Sequence, residues 1–259
     1  MKGQKLKQLG ASGELMLILA AKEVKIKYKS AVLGGLWFLL QPLLLMLVFT
    51  FIFSVVIKID IDHFPLFLMC ALLPWFFLSM SVSAAVTSIV DNAHLIKKSF
   101  FAYEVIPLSV VLSNLVNFTV SLLLLSLMFM VLRIFPGPGI VILPFVVIMQ
   151  TMFVIGICLT VSALHTFYRD VRYAVELLLI VWFYATPVFY PPEFIPEKFR
   201  SVLYLNPMSS FVQAYRQVLL YGKSPDAGTL LNLSLAGLLC LTAGFAVFAA
   251  KKRYFADVT

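Results

Sequence analysis

Ionisable side chains are almost missing from the apolar parts of this chain. Only 12% of the 259 residues are Asp, Glu, Lys or Arg, against 62% hydrophobic, and six apolar stretches of membrane-spanning length hold one acid between them, Glu176 at the mouth of the fifth. A charge at membrane depth is costly and is kept for a proton relay or a coupling-ion site. A proton- or sodium-driven engine inside the chain is therefore excluded. Cysteine is scarce too. Cys70, Cys158 and Cys240 fall in apolar stretches without the paired spacing of zinc or redox chemistry, and read as packing residues. His63, His94 and His165 stand alone without metal-ligand spacing. The few acids lie in separate loops, so no Ser-His-acid arrangement is available, and Asp60, Asp62 and His63 read as a solvated loop. Gly222-Lys223-Ser224 lacks the glycine that a phosphate loop needs five residues earlier, where Gln217 stands, and Pro225 follows directly. Nucleotide, metal and catalytic sites are all expected to be absent.

What is present has the composition of an all-α membrane protein rather than a soluble domain. A hydrocarbon slab of about 30 Å needs about 20 helical residues, and the stretches 36–57, 66–89, 107–132, 141–164, 174–190 and 229–250 make six expected spans in a single domain covering 1–259. The twenty Lys and Arg then set orientation, because cytoplasmic loops retain them. With both termini on one side, that side carries fourteen and the other six. The reading is a multi-pass protein of the cytoplasmic membrane with both termini cytoplasmic. Its net charge of +8 reflects topology and contact with anionic membrane lipids; nucleic-acid binding is not expected. Lys2, Lys5 and Lys7 ahead of 15–21 mimic a secretory signal, but seven apolar residues are a minimal core and Lys22, Lys25, Lys27 and Lys29 would obstruct translocation. The segment is expected to stay.

Residues 12–34 are expected to form an amphipathic interface helix. Ser12 can cap it, Leu15, Ile18 and Leu19 share a face, and Lys22, Lys25 and Lys29 form another. The period-two alternation over 24–29 is a strand pattern, yet a lone strand there would have no partner. Two inner loops carry aromatic and charged residues: Asp91, His94, Lys97 and Lys98 in one, Tyr168, Arg169, Asp170 and Arg172 in the other. They read either as surface anchors or as docking elements for a cytoplasmic partner. The outer segment 191–228 is too long and too apolar for an idle loop. Within it Asn206-Pro207 has cap and first-turn residues in the favoured order, Phe211, Tyr215 and Leu219 recur at helical spacing, and Gly222 can stop the helix. That short helix either lies on the surface or dips back in. Polar stripes run through two spans, Ser79, Ser83 and Thr87 in the second and Ser109, Ser113, Asn117 and Ser121 in the third. Such stripes either hold helices together or line a path.

Five pieces of sequence carry a resemblance. Lys25 to Trp37 continuing to Gln41-Pro42, Leu73-Pro74-Trp75-Phe76-Phe77, Phe167-Tyr168-Arg169-Asp170, Thr186-Pro187-Val188-Phe189-Tyr190 and Leu205-Asn206-Pro207 occur in an order and spacing similar to polysaccharide-export permeases of the ATP-binding-cassette superfamily. The resemblance covers nearly the whole chain. It implies a permease that pairs with a second copy of itself and with two copies of a separate cytoplasmic ATPase, which binds the ATP and magnesium that this chain does not. The substrate implied is a lipid-linked glycan such as O antigen. A drug or lipid exporter of the same architecture is the alternative. By the same analogy Asp91, His94, Lys97, Lys98, Tyr168, Arg169, Asp170 and Arg172 dock the ATPase. Arg200, Tyr204, Asn206, Phe211, Tyr215 and Arg216 belong to external gate helices between spans five and six. Trp37, Phe49, Phe53, Trp75, Ser79, Ser83, Ser113, Asn117, Tyr184 and Tyr190 are the expected channel residues.

Overall fold

The computed structural model describes residues 13–25, 36–98, 102–134, 137–198 and 205–255, which are overwhelmingly helical and contain no strand. Helix α1 covers 13–25. Helix α2 (Trp37–Thr50) runs on as a π-helical turn (Phe51–Val56), and α3 (Phe64–Asp91) is followed by the short α4 (Ala93–Lys98). Then come α5 (Val105–Val131), α6 (Leu143–Phe167, entered through a 3-10 turn from Pro138), α7 (Val171–Ala185), α8 (Pro207–Tyr215, continued as a π-helix to Leu220) and α9 (Ala227–Lys251). Five of these helices, with their extensions, are long and apolar enough to cross a membrane among the described residues.

α3 is the axis of the bundle. It packs against α2, α5, α6, α7 and α8, and most of its side chains are buried. Lipid tails are as apolar as leucine, so such association depends on close packing and interhelical hydrogen bonds rather than on escape from water. The tightest crossing joins α6 and α9. A Cβ on Gly156 would strike the backbone of Cys240 and Leu241, one on Gly244 would strike the backbone of Gly156, and one on Gly237 would sit 2.8 Å from the Met149 carbonyl oxygen.

The fifth expected span differs from its expected bounds of 174–190. α7 has 15 residues, about 22 Å at 1.5 Å per residue, and ends at Ala185. The reason is local: Thr186 precedes Pro187, whose ring disfavours helical conformation in the residue before it, and Thr186 sits at φ −100°, ψ 137°. Beyond the break the chain runs on towards the end of the bundle where α3 begins. Trp182 near the end of α7 meets Trp75 edge-on at 6.0 Å, whereas Pro187 and Val188 are tied to Arg216, which lies over Phe67. Trp75 is eight residues, about 12 Å, further along α3 than Phe67, and the chain turns between the two levels at 186–188, where the Val188 amide donates to the Thr186 carbonyl at 2.7 Å.

At the opposite end, Leu19 of α1, Ile89, Val105, Ile106, Leu159, Ala163, Phe248 and Phe255 form one buried cluster. Both described ends of the chain and both charged loops therefore lie at the same end of the bundle. α1 turns Leu15, Met16, Leu19 and Ala20 towards the protein, while Leu17 and Ile18 are exposed. Ile18 thus leaves the face expected for it: the packed stripe is centred about a quarter-turn away, so its apolar surface is split between the bundle and the surroundings. Ser12 and Lys29, with 26–34, lie outside the described residues.

Candidate functional site

The helix after Asn206 dips inward. Phe211 and Tyr215 are fully buried and Arg216 is only 3% exposed, so α8 packs within the bundle rather than lying on its surface. Asn206 begins it as expected from its pairing with Pro207. Its side-chain oxygen accepts from the Met208 amide at 3.1 Å and from Trp182 Nε1 at 2.7 Å, and its amide donates to Thr186 Oγ1 at 3.0 Å and to the Ala185 carbonyl at 3.3 Å. One side chain thus caps α8 and ties down the broken end of α7. The negative end of α7 and the positive end of α8 meet there, a favourable alignment of helix dipoles. Asn206→Ala should cost about 2 kcal/mol, the upper range for a helix cap, because three further bonds go with it; a thermal melt of the detergent-solubilised protein measures this. Asn206→Asp, which keeps the acceptor and loses the donor, should cost less.

Two further ties hold α8. Tyr215 donates to Gln150 Oε1 at 2.7 Å, and Gln150 Nε2 donates to the Pro74 carbonyl at 2.8 Å, a buried relay across α8, α6 and α3. Arg216 donates to the carbonyls of Pro187 (2.8 Å), Val188 (2.6 Å) and Phe67 (3.3 Å), with its guanidinium carbon 3.5 Å from the Phe67 ring centre. Irregular backbone inside a helical membrane protein must find partners within the protein, and Arg216 supplies them to the α7 break. Gly222, at φ 62°, closes the helix, and its carbonyl accepts from Gly139. Arg200 and Tyr204 lie outside the described residues.

The expected channel residues separate into two groups. Phe49, Phe53, Tyr184 and Tyr190 all gather around one ring absent from the expected set, Phe189, at centroid distances of 5.4, 5.5, 6.1 and 5.1 Å. This cluster joins α2 to the α7 break. Ser79 is half-buried and Ser83 exposed, and with Thr87 they mark the accessible stripe of α3. Trp37 is exposed at the start of α2. Asn117 and Ser121 line a shallow groove between α2, α3 and α5, with Phe38, Pro42, Phe76 and Met80.

The other two are enclosed in the single chain. Trp75 is buried against Trp182 and Phe183, and Ser113 is buried between α5 and its neighbours, so neither faces the accessible surface. Trp75 lies on a packed face of α3 and Ser113 on a packed face of α5, and a residue on such a face is enclosed whatever its chemistry. Ser109 and Ser121 in the same stripe bond back to carbonyls of their own helix, the arrangement of helix-packing residues.

The charged loops form the far end of the bundle. Asp91, His94, Tyr168, Arg169, Asp170 and Arg172 are exposed. Lys97 and Lys98 lie on α4, their side chains outside the described residues. Arg172 pairs with Glu176 at 3.1 Å; both are more than half exposed, so the pair adds little stability. Glu176, the one acid of the apolar stretches, is accounted for by this surface pair. Asp226, which caps α9 through the Thr229 hydroxyl and amide, has its carboxyl held below the usual range by those bonds. No group of three or more metal-ligating residues occurs among the described residues.

Residues 14–220 match the family model described as ABC-2 type transporter. The chain is 36% identical over 245 residues, 94% of each sequence, to the O-antigen export system permease protein RfbA of Myxococcus xanthus. It is 32% identical over 254 residues, 96% of each, to the protein of that name from Klebsiella pneumoniae. The polysialic acid transport protein KpsM of Escherichia coli is 22% identical over 235 residues, 90% of this chain and 91% of the relative.

Proposed function

This chain belongs to the ABC-2 type transporter membrane family, and from that premise we propose that it is the permease subunit of an exporter driven by a separate ATPase. Its substrate is a lipid-linked polysaccharide, O antigen or a similar cell-surface glycan, moved outward across the cytoplasmic membrane. The names of the full-length relatives support that substrate class. The observation that carries it is the accessible surface of α2, α3 and α7. It combines a hydroxyl stripe on α3 (Ser79, Ser83 and Thr87) with aromatic rings centred on Phe189 at the break after α7, and none of these side chains is charged. A sugar polymer needs weak, repeated contacts of this kind, hydrogen bonds to hydroxyls and stacking on apolar ring faces, rather than a fixed ion site.

The same surface is where a second copy would pair. Leu44, Leu47, Val48 and Phe51 on α2, and Leu177, Leu178, Val181 and Tyr184 on α7, are all largely exposed in the single chain, leaving two apolar helices without a protein neighbour on their outer sides. A homodimer across these helices would enclose the aromatic rings and the α3 stripe as a path. The end bearing α1, α4 and the Tyr168–Asp170 turn is cytoplasmic in this reading, in line with the Lys and Arg count. Asp91, His94, Lys97, Lys98, Tyr168, Arg169, Asp170 and Arg172 there meet two copies of the ATPase, which hold ATP and magnesium. The buried gate is α8 with Asn206, Phe211, Tyr215 and Arg216.

The test is co-purification with a cassette ATPase, followed by Arg169→Ala. Export of surface polysaccharide should fall about tenfold or more, within the range of coupling energies between sites, while membrane insertion and the ATPase's own hydrolysis persist. Undiminished export by a well-expressed Arg169→Ala protein would remove the docking role.

A further inference from the structure

The two charged loops and α1 are separate in sequence, yet a short stretch at the end of α9 touches the root of each loop. Lys252 Nζ lies 2.6 Å from Glu104 Oε1, at the end of the loop that carries α4. The other carboxylate oxygen of Glu104 is buried and has no hydrogen-bond partner among the described residues. Lys251 lies over the ring of Phe167, 4.8 Å from its centre, at the last residue before the Tyr168–Asp170 turn. Phe255 is fully buried, with ring centres at 6.3 Å to Tyr103, 6.2 Å to Phe167 and 5.2 Å to Phe248. Leu95 of α4 and Leu15 and Met16 of α1 pack on the same cluster.

We infer that residues 251–255 form a clasp that joins both loops and α1 into one mechanical unit, with Lys252, Glu104 and Phe255 as positioning residues. The inference rests on the docking reading above. A force applied to a free loop bends that loop; applied to a clasped one, it moves α3, α5, α6 and α9 together. Glu104 is well suited to hold its place. It stands at the start of α5, where the helix dipole favours an anion, and it is mostly withdrawn from water, so Lys252 is its main source of countercharge. Loss of Lys252 leaves a part-buried carboxylate that must turn outward to water, displacing 102–105 from the clasp. Phe255 contributes shape: three rings from three segments close on it.

The permease is tested with its ATPase in cells deleted for the native copy, reading surface polysaccharide, co-purification and ATP hydrolysis. Glu104→Lys and Lys252→Glu should each lower export about tenfold with co-purification retained, and the double reversal should return export to within about threefold of the parent, since the pair interacts directly. Phe255→Ala should reduce export without loss of the ATPase partner, and Phe255→Leu should restore part of it. A double reversal as defective as the worse single variant, or normal export from Phe255→Ala, overturns the clasp. Arg169→Ala uncoupled beside a normal Phe255→Ala overturns the clasp alone. An unsubstituted chain that fails to co-purify with any ATPase overturns the docking reading, and the clasp with it.

Discussion

Arg216→Ala should destabilise the permease by about 3–5 kcal/mol, lower its melting temperature in detergent by about 10 °C or more and abolish export. The figure follows from what the guanidinium holds. The Phe67 carbonyl lies inside α3 and keeps a helical partner, but those of Pro187 and Val188 belong to the non-helical break after α7 and accept from Arg216. Removing the side chain leaves two buried acceptors unsatisfied, at about 1–3 kcal/mol each, and removes the packing against Phe67. Lysine is a partial replacement. Its ammonium can reach one of the two carbonyls but lacks the planar fork that spans both, so Arg216→Lys should fall between the parent and Arg216→Ala in a thermal melt. Equal stability of all three proteins would mean that the break is held by something other than Arg216.

Arg216 also marks where sequence reading stops. By side counting it is one of six outer basic residues, and nothing around it announces burial: its acceptors are main-chain carbonyls, which have no sequence signature. The helix containing it was legible, because Asn206-Pro207 and Gly222 are local chemistry and act locally in the structure. The end of α7 was legible in principle through Thr186-Pro187, but a hydropathy window averages over a break and extended the span to residue 190. The polar stripes illustrate the same limit from another side. Periodicity shows that Ser79 and Ser83, or Ser113 and Asn117, share a face of their helix; it does not show which neighbour that face meets. In α3 the face is accessible, whereas in α5 most of it is enclosed. Phe189 stood in the sequence within the 186–190 piece but outside the expected channel set, and its central place depends on the break that turns it towards α2.

The break and the buried helix α8 give the uncharged spans a mechanical reading. A continuous helix in place of α7 and its linker would hold α2 and α7 at a fixed distance. Here the connection passes through Phe189, held on one side by rings of α2 and on the other by carbonyls bound to Arg216 of α8. In the gate reading proposed above, a shift of α8 would reach the aromatic cluster through the two Arg216 hydrogen bonds and the tight turn at 186–188. The elements that move and those that stay are separated in the same way: α6 and α9 cross backbone to backbone, which leaves no room for one to slide on the other.

Gly156→Ala should accordingly be far more damaging than a single methyl group implies. The added Cβ would meet the Cys240 carbonyl and the Leu241 amide nitrogen, which are main-chain atoms and cannot rotate away as a side chain would. Relief requires the helices to separate, and the lost contacts run along the whole α6–α9 crossing through Gly237 and Gly244. A cost of about 3 kcal/mol, at the upper end for an overpacked site, is expected for alanine, with little monodisperse protein recovered. Gly156→Leu should not fold. Gly244→Ala, whose Cβ would press on Gly156 itself, should behave like Gly156→Ala, and the two together should cost less than their sum because a single widening of the crossing relieves both. Gel filtration of the solubilised variants and their melting temperatures decide the matter. A Gly156→Ala protein that melts with the parent would show that the crossing is looser than backbone contact, and that α6 and α9 are free to slide during transport.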